Sequence, residues 1–275
     1  PGKRHNWRAG VALPVDIFLS QYHPQSTLVW PARDGCQSRF LPAPGAPSPN
    51  SPFIIQTSSF MRLRITFSKQ GPLRYTGHLD LHKIWERAAR RAQLPLTYSQ
   101  GFHPHPQIQL AAALPLGFSS RCEVVDLKLN ETVPLEGLAE RIQGAVPSGL
   151  HILSVESVDE RAPALQTQVV SAEFEVELLE DINLDELARK FDSVIAADSL
   201  PRERRGKPYD LRPLIEMLTL SSLPLGEGPG ARVFMRLAAR EGATGRPEEV
   251  LDALGIPLEN ARVERSRLIF RGAEG

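Results

Sequence analysis

From residue 61 onward the hydrophobic period switches between two and 3.6 residues in one order, and then runs through that order again. Met61-Arg-Leu-Arg-Ile-Thr-Phe-Ser68 alternates, with Leu63, Ile65 and Phe67 on one face, as a half-buried strand does. Gly71-Pro72 predicts a turn. Residues 79–93 place Leu81, Ile84, Trp85, Ala88, Ala89 and Ala92 on one helical stripe, and Pro95 stops the helix. Residues 108–114 and 123–129 read as strands, 135–145 as a short helix and 151–158 as a closing strand. The order is β-α-β-β-α-β, the split-βαβ or ferredoxin-like plan, over residues 61–160.

The second pass covers residues 165–272. Residues 169–178 alternate, and Asn183 is a candidate N-cap for a helix over 184–197 with Leu187, Phe191, Val194 and Ile195 inward. A polar, basic connection follows over 202–213. Residues 214–220 and 232–237 read as strands around a Pro/Gly-rich turn at 224–230, residues 246–254 as a helix opened by Pro247, and 262–270 as the last strand. The expected fold is therefore α+β, two tandem ferredoxin-like units with antiparallel sheets. In both units the longest connection falls between the first helix and the second strand.

Residues 1–60 are different. They hold nine of the 24 prolines and show no sustained period, so they predict a disordered or linker tail, either the remnant of a fused upstream region or an extension ahead of an internal start at Met61. The zero net charge hides a local imbalance. Residues 61–121 carry nine Lys/Arg against two Asp/Glu, whereas residues 122–275 carry 18 against 28. A positive stripe of this kind favours an anionic partner such as nucleic acid. Cys36 and Cys122 lack metal-ligand spacing, no apolar run approaches the roughly 20 residues of a membrane span, and no leader pattern opens the chain, so a soluble cytoplasmic protein with no membrane partner is expected.

The densest chemistry lies in the first long connection, Tyr98-Ser-Gln-Gly-Phe-His-Pro-His-Pro106. Gly101, Pro104 and Pro106 restrict or redirect the backbone, while Tyr98, Gln100, Phe102, His103 and His105 offer faces for stacking and hydrogen bonding to unstacked bases. Arg74, Arg87, Arg90 and Arg91 would add phosphate contacts. Arg202, Arg204, Arg205, Lys207 and Arg212 form a second basic cluster, with Asp210 placed to orient Arg212 by a charge-assisted bond. His78 and Asp80 are expected to occupy free amides at a helix entry; His78 and His82, four apart, are a weak metal alternative. His103 and His105 are the candidates for general acid–base catalysis on RNA without a metal. Phosphate-binding glycine loops, a serine elbow and a dinucleotide fingerprint are all missing from the sequence.

Several of these pieces, Arg62-Leu-Arg-Ile-Thr-Phe-Ser-Lys69, Gly77-His-Leu-Asp-Leu81, Arg87-Ala-Ala-Arg-Arg-Ala92, the Tyr98–Pro106 motif and Leu114-Pro-Leu-Gly117, with Asp210-Leu-Arg-Pro213 and Arg246-Pro-Glu-Glu-Val250, resemble the radical-SAM-linked domain of unknown function. That domain occurs fused to, or beside, B12-binding radical SAM proteins. Where its members carry a serine before the early histidine, this chain has Gly77. The resemblance implies a radical SAM protein as partner, and places the iron–sulfur cluster and S-adenosylmethionine in that partner, since no Cys-x-x-x-Cys-x-x-Cys triplet is present here. It carries no established activity. The expectation is a non-catalytic RNA-binding or substrate-presenting module acting on tRNA or rRNA. The alternatives are an RNA-cleaving or RNA-modifying enzyme using His103 or His105, and a protein-interaction domain without nucleic acid.

Overall fold

The alternating segments join into one sheet. The computed structural model describes residues 60–179, 183–222 and 231–272, so all but the last residue of the expected tail, Cys36 and the 224–230 turn lie outside the described residues. The first half forms β1 (Met61–Lys69), α1 (His78–Arg91), β2 (Ile108–Leu110), β3 (Ser119–Leu129), α2 (Leu138–Gln143) and β4 (Leu150–Val158). A one-turn helix, α3 (Leu165–Gln168), leads into β5 (Val169–Leu178), α4 (Leu184–Ala196), β6 (Pro201–Arg204), β7 (Lys207–Asp210), β8 (Ile215–Ser222), β9 (Ala231–Arg240), β10 (Ala243–Thr244), α5 (Pro247–Ala253) and β11 (Ala261–Phe270).

The fold is α+β with a mostly antiparallel sheet. Pairing runs β4-β1-β3-β2 in the first half and β11-β5-β9-β8 in the second, every neighbour antiparallel. A short parallel contact joins the halves, with Glu264 beside Ser119 and Arg265 beside Ser120. Two apolar clusters form. Met61, Leu63, Ile65 and Phe67 of β1 pack with Trp85 and Ala89 of α1 and with Leu138 and Ile142 of α2. The other cluster gathers Val176, Phe191, Val233, Leu237, Leu251 and Val263. β3 serves both, giving Val125, Leu127 and Leu129 to the first and Val124 to the second, because neighbouring strand residues face opposite ways.

Local chemistry accounts for most boundaries. Trp85 is fully buried and meets the Phe67 ring edge-on at 4.8 Å. Helix α1 ends where Gln93 enters the left-handed region at φ 53°, its amide and that of Leu94 closing on the carbonyls of Arg90 and Ala89. Asn183 caps α4 as expected, its Oδ1 accepting from the amides of Asp185 and Glu186, both at 3.1 Å. Ile195, placed inward by periodicity, is instead about half exposed. The strand expected over 108–114 stops at Leu110, because the carbonyls of Ala112 and Ala113 turn to the guanidinium of Arg265. The basic connection is not a loop but a β6–β7 hairpin. Its turn residues, Arg205 at φ 52° and Gly206 at φ 74°, both take the positive φ of a two-residue type I′ turn.

The join between the halves is polar and buried. Arg265 and Glu123, each with a side chain only 2% exposed, form an ion pair 142 positions apart in sequence. Arg265 Nε donates to Glu123 Oε1 at 2.9 Å, and Nη1 donates to the carbonyl of Ala113 at 3.1 Å. Removing one member strands a buried charge, which typically costs about 3–5 kcal/mol, whereas replacing both with apolar groups is often neutral. Arg265→Met is therefore expected to lower unfolding free energy by about that amount in urea titrations, and adding Glu123→Leu to recover most of it.

Candidate functional site

The Tyr98–Pro106 segment is a braced hairpin. Thr97 N donates to the carbonyl of Lys128 on β3 at 2.8 Å, and Gln107 N to that of Thr97 at 2.8 Å. Lys128 N returns a bond to Gln107 O at 3.0 Å, Tyr98 bridges Pro106, and Ser99 N donates to His105 O at 2.8 Å. The Ser99 hydroxyl then accepts from the amide of His105 at 3.0 Å, and the Gln107 side-chain amide donates to Tyr98 O at 3.4 Å. Sequence reading missed Ser99 and Gln107 as braces; the only available signal was a serine flanking a turn. Pro106 is buried and anchors the base, and Gly101 takes φ 136°, which side chains with a Cβ rarely adopt, so it turns the tip.

This bracing thrusts the tip into solvent. Gln100, Gly101, Phe102, His103, Pro104 and His105 are all exposed, and Phe102 shows no burial at all. The hydrogen bonds of its neighbours hold Phe102 away from the sheet. Tyr98 is half-buried, packed on the first core, and its hydroxyl accepts from Arg90 Nε at 3.3 Å. Arg90 also pairs with Glu86 at 2.6 Å, and Arg91 reaches the carbonyl of Ala145 at 3.4 Å. Arg87, Arg90 and Arg91 are all exposed on the last turns of α1, so the helix end and the hairpin base form one cationic, aromatic surface. Among the described residues the imidazoles of His103 and His105 make no hydrogen bond, and both are exposed.

The other expected contributors lie elsewhere. Arg74 sits before α1, roughly 20 Å from its far end at 1.5 Å per residue, and stacks on Tyr75 at 4.8 Å while donating to its hydroxyl at 2.7 Å. Gly77, not His78, caps α1, and no side chain caps there, so Asp80 instead meets Lys83 at 3.6 Å. Desolvation pulls the His78 imidazole below its ordinary value, and the nearby His82 adds to it. Among the described residues no group of three or more His, Cys, Asp or Glu side chains could hold a metal ion.

In the second cluster most cations are occupied. Arg202 meets Asp252 at 3.3 Å; Arg204 meets Glu249 at 3.3 Å and lies 5.2 Å over the Tyr209 ring. The Tyr209 hydroxyl donates to Glu249, and burial together with that carboxylate pushes its pKa up to about 12. Arg212 donates to the carbonyls of Ile195 and Ile215 at 2.9 and 3.3 Å. Only Arg205 and Lys207, at the β6–β7 turn, present exposed cations. Asp210 does not orient the Arg212 guanidinium; its Oδ1 accepts from the amides of Leu200 and Arg212 at 2.7 and 2.9 Å.

A family model described as "Uncharacterized protein conserved in bacteria (DUF2344)" matches residues 62–247. The chain belongs to that family. No curated protein sequence matches it. Among solved structures, it is similar to a Cbf5-Nop10-Gar1 complex at 12% identity and TM-score 0.39, covering 75% of this chain and 48% of that one. It is also similar to an H/ACA RNP bound to a substrate RNA containing 2'-deoxyuridine, at 12% identity and TM-score 0.37 over 75% of this chain and 47% of that one. An archaeal box H/ACA sRNP Nop10-Cbf5 complex is similar at 13% identity and TM-score 0.35 over 77% and 50%. The chain thus spans about half the length of those proteins. Among the described residues no helix is long and apolar enough to cross a membrane.

The Asp210 bonds make the hairpin anchor sensitive to acid. The two backbone amides hold its carboxyl below the ordinary 3.8. A carboxylate with a depressed native pKa contributes stability fully above its unfolded value and loses it as pH falls through the native one. In melts from pH 5 down to pH 2, Asp210→Ala is expected to lack that part of the acid-induced decline while melting lower than the parent at neutral pH.

Proposed function

We propose that this chain is a non-catalytic RNA-binding or substrate-presenting module that works with a radical SAM protein, fused or separate, which carries the iron–sulfur cluster and S-adenosylmethionine. The observation that carries the reading is the fully exposed Phe102 ring at the tip of a hairpin whose base is bonded to an Arg-rich helix end. An aromatic ring costs free energy to leave in water, and a stiff mount spares it the entropy of ordering on contact. Unstacked bases offer the matching faces, and Arg87, Arg90 and Arg91 are positioned for the phosphates that follow. The pairing order of each half supports a plan of two tandem split-βαβ units carrying it.

The test is fluorescence anisotropy with a labelled 12-nucleotide single-stranded RNA across a salt series. Phe102→Ala is expected to weaken binding by about 1–3 kcal/mol, the usual worth of one base–aromatic stack. The triple change Arg87→Ala, Arg90→Ala and Arg91→Ala is expected to reduce the slope of log K against log salt by about 2, at roughly 0.7 per phosphate contact. Absence of binding at low salt, or binding indifferent to Phe102, rejects the proposal. Co-purification of the native chain with a radical SAM protein checks the partner.

A further inference from the structure

A cleft of about 710 Å³ opens where the chain leaving β2 meets β5, β9 and the segment before α5. This is within the size range of small-molecule sites. Much of its apolar lining is small, Ala111, Ala112 and Ala113 from one half with Ala172 and Ala239 from the other, and Leu114, Pro115, Pro247 and the ring of Phe174 complete it. Arg265 also lines it, and by donating to the carbonyls of Ala112 and Ala113 it fixes the alanine segment in place.

Two further cations line the cleft without tight partners. Arg240 is 3.9 Å from Glu216 and Arg246 is 3.6 Å from Glu248, with side chains 54% and 44% exposed. Their forked donors are therefore available to a phosphate. The lining also holds acceptors, Glu241 and Glu248. A ligand that brings both an anionic group and a hydrogen-bond donor meets the guanidinium and the carboxylate groups of this lining together. A simple dianion would meet the two carboxylates unfavourably, and an acyl chain would use neither set of groups.

We propose that this cleft binds a nucleotide whose base carries an amino group. The planar base lies on the alanine surfaces, which let a ring approach the backbone closely. Its amino group donates to Glu248 or Glu241, and its phosphate is held by Arg240 and Arg246. The ligand is either a free mononucleotide or one nucleotide of an RNA strand. The site does not depend on the Phe102 surface.

Isothermal titration calorimetry of the full chain with CMP, AMP, UMP and inorganic phosphate tests this. CMP or AMP is expected to bind at least ten-fold more tightly than UMP or phosphate. Ala112→Trp, which fills the cleft, and separately Arg240→Ala with Arg246→Ala, which leaves its volume, are each expected to cut that affinity at least ten-fold while the circular dichroism spectrum is unchanged. A 12-nucleotide RNA of mixed A and C separates the sources. Competition by the mononucleotide and loss with Ala112→Trp point to a strand, and RNA binding indifferent to Ala112→Trp beside mononucleotide binding points to a free ligand. Equal binding of UMP, or affinities for mononucleotides and RNA that ignore both sets of cleft variants, overturns the inference. Phe102→Ala reports on the hairpin surface alone, so RNA binding that fails there while CMP or AMP still binds rejects the hairpin reading and leaves the cleft standing.

Discussion

The two halves meet around the buried ion pair of Arg265 and Glu123. Between β11 and β3 the ladder is only two residue pairs long, too short to hold two half-sheets together by backbone hydrogen bonds alone. Side chains complete the junction. Arg265 binds Glu123 and two alanine carbonyls, Arg121 meets Glu264 at 2.8 Å and also Glu175, and the Gln70 amide donates to Glu264 at 2.6 Å. The network crosses from β3 and the residue after β1 to β5 and β11, so each half helps to satisfy charges that the other presents. Such a junction gains little net stability over an apolar one, since desolvation offsets attraction. What it gains is register: a slip of one residue would leave a buried guanidinium opposite no carboxylate.

That junction has a second effect nearby. Lys69 is also buried, donating its ammonium to the carbonyl of Thr76 at 3.0 Å, and burial pulls its pKa down while the field of Glu123 opposes. Nearby, the start of β3 carries Cys122, whose thiol burial pushes up to about 11. Part of the polar interior thus lies at the bulged end of β1 and the start of β3, while a second buried pair, Arg62 with Asp126, lies toward the other end of β1. The alanine segment that leaves β2 is fixed from there by Arg265, which is why a run of small residues able to continue a strand becomes one lining of a cleft instead.

Much of this was legible in the sequence, and the parts that were not share a physical reason. Period-two and period-3.6 patterns located β1, α1, β5, α4 and β11 to within a few residues, because each element buries one face and pattern follows burial. The Asn183 cap was legible because capping is local. The β6–β7 hairpin was not: an Arg-Gly turn lacks the usual Asn-Gly signal, and flanking Arg, Lys and Pro suppress the alternation a strand normally shows. Nor was the fate of Arg202, Arg204 and Arg212. Their partners, Asp252, Glu249 and the carbonyls of Ile195 and Ile215, are 50, 45, 17 and 3 positions away, and a cluster of cations reads alike in sequence whether its members are free or spent. Arg265 is one polar residue within the strand expected over 262–270, and nothing local in the sequence marks its side chain as buried, as the fold shows it to be.

The hairpin around Phe102 carries a physical tension that a structural role alone leaves unrelieved. Its base uses backbone bonds to β3, a serine bridge and a buried proline, far more constraint than a connection between a helix and a three-residue strand requires. A flexible loop would let the Phe102 ring fold back on the apolar rim of α1 and the sheet. The bracing forbids it, keeping a phenyl ring and two imidazoles in water with their backbone already ordered. Ordering a loop on contact costs free energy for every residue fixed. Here that cost is met in folding, so a partner that covers the ring gains the apolar burial with little of it taken back. Such a balance favours brief, repeated engagement over one permanent interface that would have hidden the ring altogether.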